Sequence, residues 1–206
     1  MSEYSAVNLG GFYTEDDPGF GMLVSLDIGA PERQDYSIQV PGRNGTLDLT
    51  EDLFGSPRYY NRTVTATYST VSLDEKQNLW WTALDSAMAL HGQTVYAYTS
   101  DDPDWYFEGV VSVSSDASEG TITLELDCQP YRLSAEENGS EVPDDATGIW
   151  LEAEVSGDGD ATLIVGDTEL ELSEGTYELG VFPATSYDTD VDDDATIAVT
   201  YRWAKL

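Results

Sequence analysis

"PGRNGTLDLTEDLFGSPRYYNRTVTATYS", residues 41–69, decides the fold class, because turn signals alternate in it with the side-chain period of a β-strand. Asn44–Gly45 predicts a tight hairpin turn, since a type I′ turn requires positive φ at both central residues. Residues 55–57, Gly-Ser-Pro, predict a second turn. From residue 62 to 68, Arg, Val, Ala and Tyr alternate with three threonines, as in a strand with one buried face. The stretch therefore predicts a β protein.

The rest of the chain follows the same period of two. We expect strands at 22–28, 34–40, 58–68, 94–99, 105–114 and 120–127, with 34–40 pairing with 46–49 across the Asn44–Gly45 turn. A second set of strands is predicted at 149–155, 161–165, 168–172, 176–182 and 195–203. Between the two sets, residues 134–148 are polar and acidic and contain Gly and Pro, which is typical of a linker.

These patterns predict a mainly β fold with two domains. Residues 1–133 would form a β domain with one α-helix. Residues 134–148 would be the linker, and residues 149–206 a small antiparallel β domain resembling a sandwich.

One helix is predicted at about residues 73–91. Ser72 and Glu75 have the spacing of a capping box, and Gly92 supplies a left-handed stop. Trp80, Leu84 and Met88 keep helical spacing, so they predict one face for packing in the core or docking a partner. Leu79, Ala83 and Ala87 widen this apolar stripe.

The charge of the chain limits its partners. Forty acidic residues face eight basic ones, which gives a formal net charge of −32. Such a surface repels phosphate backbones and anionic membranes, so sequence-specific nucleic-acid binding and membrane binding are not expected. Molar salt would screen the self-repulsion. The composition therefore favours a protein from an extreme halophile, with an ordinary acidic protein as the alternative.

Candidate reactive groups are few, and an enzyme is not expected. His91 is the only histidine and is interpreted as a residue that caps the helix C-terminus. Cys128 is the only cysteine and is interpreted as a buried structural thiol. Asp101, Asp104 and Glu108 could imitate a glycosidase carboxylate pair. Among forty acids, however, such pairs arise by chance.

No cofactor is expected, and two acidic stretches are the only candidates for a metal. Residues 156–167 and 188–194 concentrate oxygen ligands that Ca²⁺ or another cation could use. Neither stretch has the spacing of a helix-loop-helix calcium site, so solvated loops are the default interpretation. The chain has no apolar run long enough to span a membrane, and its start lacks the pattern of a secretion signal. We therefore expect synthesis in a cytoplasm.

Six blocks of sequence, in this order, resemble the distal tail protein of long-tailed, non-contractile (siphovirus-type) phages and related archaeal tailed viruses. They are "PGRNGTLDL" (41–49), "YYNRTVTATY" (59–68), "LHGQ" (90–93), "TSDDPDWYFEGVVSV" (99–113), "GTITLELDCQPYR" (120–132) and "IAVTYRWAKL" (197–206). The resemblance covers most of residues 1–133. The second domain departs from the family, because only about sixty residues are present where many relatives carry a larger sandwich.

The resemblance implies that residues 1–133 form a β-sandwich or split barrel like that of a tail tube, with one α-helix. It also implies a structural virion protein at the tail tip, made in the host cytoplasm. Six copies would form a ring that continues the tail tube, leaves a channel for DNA and seats tip or hub proteins and receptor-binding proteins. An extended hairpin at about 34–68 would reach around the neighbouring subunit. The interface residues expected there are Arg43, Asn44, Arg58, Tyr60 and Arg62, with the arginines meeting a neighbour's carboxylates.

Two further functions compete with the ring protein. The first is the repeating tail-tube subunit, which shares the fold. The second is a carbohydrate-binding β-sandwich with Trp105, Trp150 or Trp203 as a stacking platform.

Overall fold

The computed structural model describes residues 5–9, 20–39, 46–48, 57–70, 73–192 and 194–206. The chain divides into two compact units, Met1–Pro130 and Tyr131–Leu206. Each unit is mainly β, which confirms the predicted fold class. Among the described elements, none is a helix with the length and apolarity that membrane crossing requires.

The first unit is built from a six-stranded sheet, a separate pair of short strands and a helix. Its described elements are β1 (Ser5–Asn8), β2 (Phe20–Ile28), β3 (Ser37–Gln39), β4 (Thr46–Asp48), β5 (Arg62–Thr70), α1 (Leu73–Leu90), β6 (Thr94–Thr99), β7 (Asp102–Asp116) and β8 (Thr121–Cys128). The sheet has the order β1-β6-β7-β8-β5-β2. The β1–β6 pair is parallel, and the other pairs are antiparallel.

The core of this unit lies between one face of the sheet and α1. Alternate residues of β5 and β8 are buried, and Ala83 and Ala87 of the helix face them. The core members on these two strands are Val64, Ala66, Tyr68, Ile122, Leu124, Leu126 and Cys128. Small residues at the helix face let α1 approach the sheet closely, because they leave room for the larger strand side chains.

The helix begins and ends close to its predicted bounds. Gly92 has a φ of 77°, and its N–H donates to Val111 O over 2.8 Å, so it provides the left-handed stop that the sequence predicted. Ser72 and the side chain of Glu75 lie outside what the structure describes. The predicted capping box therefore stays a prediction.

The prediction that Trp80, Leu84 and Met88 share one face of the helix does not hold for Met88. Trp80 is buried and Leu84 is partly buried against the core, but Met88 is 47% exposed. Each step of four residues advances a helix by about 40° beyond a full turn, so two steps rotate Met88 away from the direction of Trp80. Ala87 takes the buried position instead.

A two-stranded extension, which we call the ribbon, continues the β2–β5 pair beyond the sheet. It consists of residues 29–34 and 58–61. Backbone bonds of 2.9, 2.8 and 2.8 Å join Gly29 N to Thr63 O, Tyr60 N to Glu32 O and Gln34 N to Arg58 O. The 58–68 stretch predicted as one strand thus forms part of the ribbon and then β5.

Beyond the ribbon lie the two short strands β3 and β4. They pair antiparallel with Ile38 opposite Leu47, which confirms the predicted pairing of 34–40 with 46–49. The Asn44–Gly45 turn lies outside the described residues. Unlike the sheet strands, β3 is exposed along its whole length.

The second unit contains two antiparallel sheets. Its strands are β9 (Arg132–Ser134), β10 (Gly148–Gly157), β11 (Ala161–Val165), β12 (Thr168–Leu172), β13 (Gly175–Phe182), β14 (Tyr187–Val191) and β15 (Ala195–Lys205). One sheet has the order β13-β10-β15-β9, and the other has the order β12-β11-β14. Alternate residues of β10 and β11 are buried, as their sequence patterns predicted.

Residues 134–147, expected to belong to a linker, are instead bound along β15. Trp203 N donates to Ser134 Oγ over 3.0 Å, Tyr201 N donates to Asn138 Oδ1 over 3.0 Å, and Thr147 N donates to Ala204 O over 2.7 Å. A polar, acidic segment with Gly and Pro does not distinguish a linker from a loop whose backbone and side chains form hydrogen bonds with a neighbouring strand.

Candidate subunit interface

Apolar side chains are exposed along β2, the ribbon and β3. Of the ten large apolar residues exposed in the described part of the chain, five lie here: Val24, Ile28, Tyr36, Ile38 and Tyr60. Scattered exposed apolar residues are ordinary, but a series along one projecting element is typical of a surface that contacts another molecule. The ribbon and its short strands are therefore the strongest candidate interface in the first unit.

Two of the predicted interface residues lie on this surface. Arg58 and Tyr60 are exposed, and both belong to one strand of the ribbon. Arg33, on the opposite strand, forms an ion pair of 3.3 Å with Asp35. The ribbon thus presents aromatic and cationic side chains together. Arg43 and Asn44, also predicted for the interface, lie outside the described residues.

Arg62 is a correction, because it lies inside the first unit and is only 7% exposed. Its guanidinium donates to the carbonyl of Pro130 and lies 5.6 Å from the centre of the Phe107 ring. A side chain held in this way is not available to a neighbour's carboxylates. The sequence could have predicted this burial. Alternate residues of a strand point to the same face, so Arg62 lies on the face of the buried Val64 and Ala66.

The outer side of α1 presents a second exposed apolar surface. Trp81 is 59% exposed, while the adjacent Trp80 is buried. The two rings meet edge to face with their centroids 4.6 Å apart. Met88 is exposed seven residues after Trp81, so both lie on the same side of the helix. Of the face that the sequence predicted for packing in the core or docking a partner, Met88 lies on this exposed surface and Trp80 is buried.

His91 and Cys128, the reactive side chains considered in the sequence, both take part in the hydrogen bonding or packing of the first unit. His91 Nδ1 accepts a hydrogen bond of 3.1 Å from Val113 N, which ties the end of α1 to β7. Cys128 is buried, as predicted. Burial raises the pKa of its thiol to about 12, against a smaller lowering by Arg62. A thiol with so high a pKa is a poor nucleophile at neutral pH.

The two acidic stretches of the second unit lie side by side, and each of them contains a strand. Residues 187–191 form β14, which pairs with β11. Asp160 N donates to Asp192 Oδ2 over 3.3 Å, and Ser173 Oγ donates to Asp160 Oδ1 over 3.0 Å. Within the described residues, no group of three or more His, Cys, Asp or Glu is arranged to hold a metal ion.

The three tryptophans considered as a sugar platform do not form an open one. Trp105 and Trp203 are buried, and Trp150 is half-buried. The indole N–H of Trp203 donates to Gly139 O over 3.3 Å. Stacking on a sugar requires an accessible ring face, so burial removes the main support for the carbohydrate-binding alternative.

No protein-family model matches the chain, and no curated protein sequence matches it either. Among solved structures, the chain is similar to the crystal structure of the Dit (gp 19.1) protein of SPP1, with a TM-score of 0.51 and 13% sequence identity. The similarity covers 97% of each chain. That protein is described as a paradigm of the hub adsorption apparatus in phages that infect Gram-positive hosts. The chain therefore shares the fold of a siphophage tail protein over nearly its whole length.

Proposed function

We propose that this chain is a structural protein of a virus tail, which forms a ring at the distal end of the tail tube. The observation that carries the proposal is the likeness to the SPP1 hub protein over 97% of both chains. Because that likeness includes both units, it is more informative than a match to one common β-sandwich would be. The order of the six sequence blocks supports the same family.

The projecting ribbon supports a ring of identical subunits. It carries exposed apolar residues, and its two strands are joined to each other by backbone hydrogen bonds. A ring requires head-to-tail contacts, in which an element of one copy meets a different surface on the next. The ribbon would be that element, with Arg58 and Tyr60 in the contact. We propose six copies, as in the family that the sequence resembles.

In this proposal the chain links the tail tube to tip or hub proteins, with receptor-binding proteins as possible neighbours, and it acts without catalysis. The virion tail tip is its location. A ring of chains with a net charge of −32 each would surround the DNA channel with negative charge. Such a wall would offer few cations to replace the counterions of passing DNA, so DNA would slide without sticking.

The tail-tube subunit is the alternative that shares this fold. A tube subunit stacks in many layers, whereas a distal ring stops after one or two. Electron micrographs of the purified protein in molar KCl would separate the two functions. We expect isolated rings with six-fold symmetry. Long tubes would support the tube subunit, and single subunits at every protein concentration would contradict both functions.

A further inference from the structure

We propose that the edge of β6 is a strand-acceptor site, and that in the assembled ring it accepts β1 of a second copy of this chain. Within a single chain the site is filled by the chain's own β1. The contacts that an incoming β1 would make are therefore visible in the structure. The inference rests on the ring proposed above, and it adds a segment that each subunit would contribute to the core of the next.

The site offers a backbone edge to an extended strand. β1 pairs with β6 in parallel over four residues, from Ser5 opposite Val95 to Asn8 opposite Tyr98. Just beyond the strand, Leu9 N donates to Tyr98 O over 2.7 Å. When a strand is added to a sheet edge, backbone pairing of this kind provides affinity, and pockets for alternate side chains provide specificity.

The pockets are apolar, and two side chains near the N-terminus fill them. Val7 is 4% exposed and Leu9 is fully buried, and both belong to the core that β5, β8 and α1 build. The Tyr68 hydroxyl donates to Leu9 O over 3.1 Å, which fixes the end of the strand from within the core. Without β1 this apolar surface would be uncovered. Each subunit therefore needs a β1 in the site, either its own or that of a neighbour.

The pairing of β1 does not require that it come from the same chain as β6. The two strands are parallel, and β2 to β5 and α1 lie between them in the sequence. A tight turn can join antiparallel strands but not parallel ones, so no hairpin couples β1 to β6. Among the described strands, β1 pairs with β6 alone. It can therefore leave the sheet without breaking the pairing of any other two strands.

The order of the sheet favours exchange between neighbouring copies. β1 and β2 are consecutive in the sequence, but they lie at opposite edges of the six-stranded sheet. Five spacings of about 4.8 Å separate these edges, roughly 24 Å along the sheet. Residues 10–19, which join the two strands, can span at most about 35 Å. Returning β1 to its own β6 thus uses about two-thirds of the greatest length that this connection has.

A ring brings a nearer β6 edge within reach. In a head-to-tail ring, one surface of each copy meets a different surface of the next. When the β2 edge of one copy meets the β6 edge of its neighbour, β1 crosses only the gap between the two copies. Exchange of an identical element is a low-cost way to join subunits, because it reuses contacts that each chain already makes. The occupant to which we commit is therefore β1 of the adjacent copy.

A disulfide between register partners tests the exchange. Asn8 and Tyr98 are half-buried and lie opposite each other, and neighbouring strands are close enough for a disulfide. The variants Asn8→Cys and Tyr98→Cys are produced together, purified in molar KCl and oxidised. We expect a covalent dimer of the two different chains. Replacing Tyr98→Cys by Val110→Cys, an exposed position on β7, should give none. The native Cys128 is buried, so it should not react.

The two substitutions in one chain give a second readout. With exchange, oxidation of the assembled double variant should link up to six chains into a ladder on a denaturing gel without reductant. Without exchange, each chain closes on itself and runs as a single chain. If Tyr98→Cys prevents folding, the buried register pair Val7→Cys and Ala97→Cys takes its place in both experiments.

The outcomes separate this inference from the proposed function. If rings form and the double variant yields only chains closed on themselves, the ring stands and the exchange of β1 is wrong. Covalent dimers in a preparation without rings would support the exchange and contradict the ring. If neither rings nor covalent dimers are found, both proposals fail. Rings in which neither register pair forms any disulfide would contradict the pairing of β1 with β6 and overturn the inference.

Discussion

Arg62 is buried in the first unit although both of its sequence neighbours are exposed. Its guanidinium donates to the Pro130 carbonyl and lies near the Phe107 ring, at the start of β5. A buried cation is costly unless its hydrogen bonds are satisfied. We therefore interpret Arg62 as a residue that fixes the end of β8 against β5.

Replacing this arginine should destabilise the monomer. We expect Arg62→Ala to lower the free energy of unfolding by about 2–4 kcal/mol, because a buried carbonyl loses its donor and an aromatic contact is lost. The exposed Arg58→Ala is the matched control and should change it by no more than about 0.5 kcal/mol. Urea unfolding of the two variants measures both values, and equal effects would contradict the burial of Arg62.

The raised pKa of Cys128 predicts a loss of stability at alkaline pH. Burial raises the pKa of Cys128 in the folded state from its ordinary value of 9.0 to about 12, so the folded state holds this proton more tightly. The stabilisation is present below pH 9 and is lost as the pH rises toward 12. Between pH 8 and 10 we expect the free energy of unfolding to fall by about 1 kcal/mol. In Cys128→Ala the contribution of this thiol is lost, so the fall should be smaller by about 1 kcal/mol. A parent and variant with the same pH profile would show that another group is responsible.

At the scale of the element, the helix has two sides with different roles. On the inner side Trp80 is buried, and Ala83 and Ala87 belong to the core formed with the sheet. The outer side presents Trp81 and Met88. The adjacent tryptophans thus belong to different surfaces. A substitution on the inner side should affect folding more than one on the outer side.

This difference can be measured in the monomer. We expect Trp80→Ala to cost about 3–5 kcal/mol of stability, since it leaves a cavity under the helix. Trp81→Ala is its matched control, and it should cost no more than about 0.5 kcal/mol because its side chain is mostly exposed. Thermal and urea unfolding at a protein concentration below assembly give both values. A small effect at Trp80 would mean that the inner side is not part of the core.

The strands could be predicted from the sequence wherever one face is buried. β5, β6, β8, β10 and β11 alternate between core and surface, so their period is visible in the residue types. β14 was missed, because its alternation of Tyr, Thr and Val with Asp lies in a run of acids that suggested a loop. Solvent-facing strand positions accept acids when the opposite face packs inward.

The candidate interface could be predicted only in part. The ribbon follows from turn signals and strand patterns, and Arg58 and Tyr60 were located correctly on an exposed segment. Arg62 was assigned to the surface because it is charged, although its position in the alternation of β5 puts it on the buried face of the strand. Trp81 was not singled out, since helical spacing alone does not say which side of an apolar helix meets the sheet.

At the scale of the whole molecule, charge should control assembly. In molar salt the screening length is about 3 Å, and at roughly 0.05 M it exceeds about 10 Å, so repulsion between subunits becomes long-ranged. We expect rings to dissociate on dialysis from molar KCl to low salt, and the melting temperature to fall as well. Light scattering and calorimetry across this range test the prediction. Assembly and melting that do not change with salt would contradict the halophilic interpretation.

The ribbon predicts a charge effect on assembly that leaves folding intact. Arg58→Glu should abolish rings and leave a folded monomer, because the change places an acid opposite the carboxylates of the neighbouring subunit. The control is Asp35→Asn, which removes an acid from the same region. Rings that form normally in Arg58→Glu would remove this part of the ribbon from the interface.

The central claim is that this chain assembles into a closed ring of identical subunits. Sedimentation-velocity measurement of the purified protein in molar KCl, over a range of protein concentrations, tests it most directly. We expect one dominant species with six times the mass of the chain, which does not grow further as the protein concentration rises. A single-chain mass at every concentration, or an open series of ever larger assemblies, would contradict it.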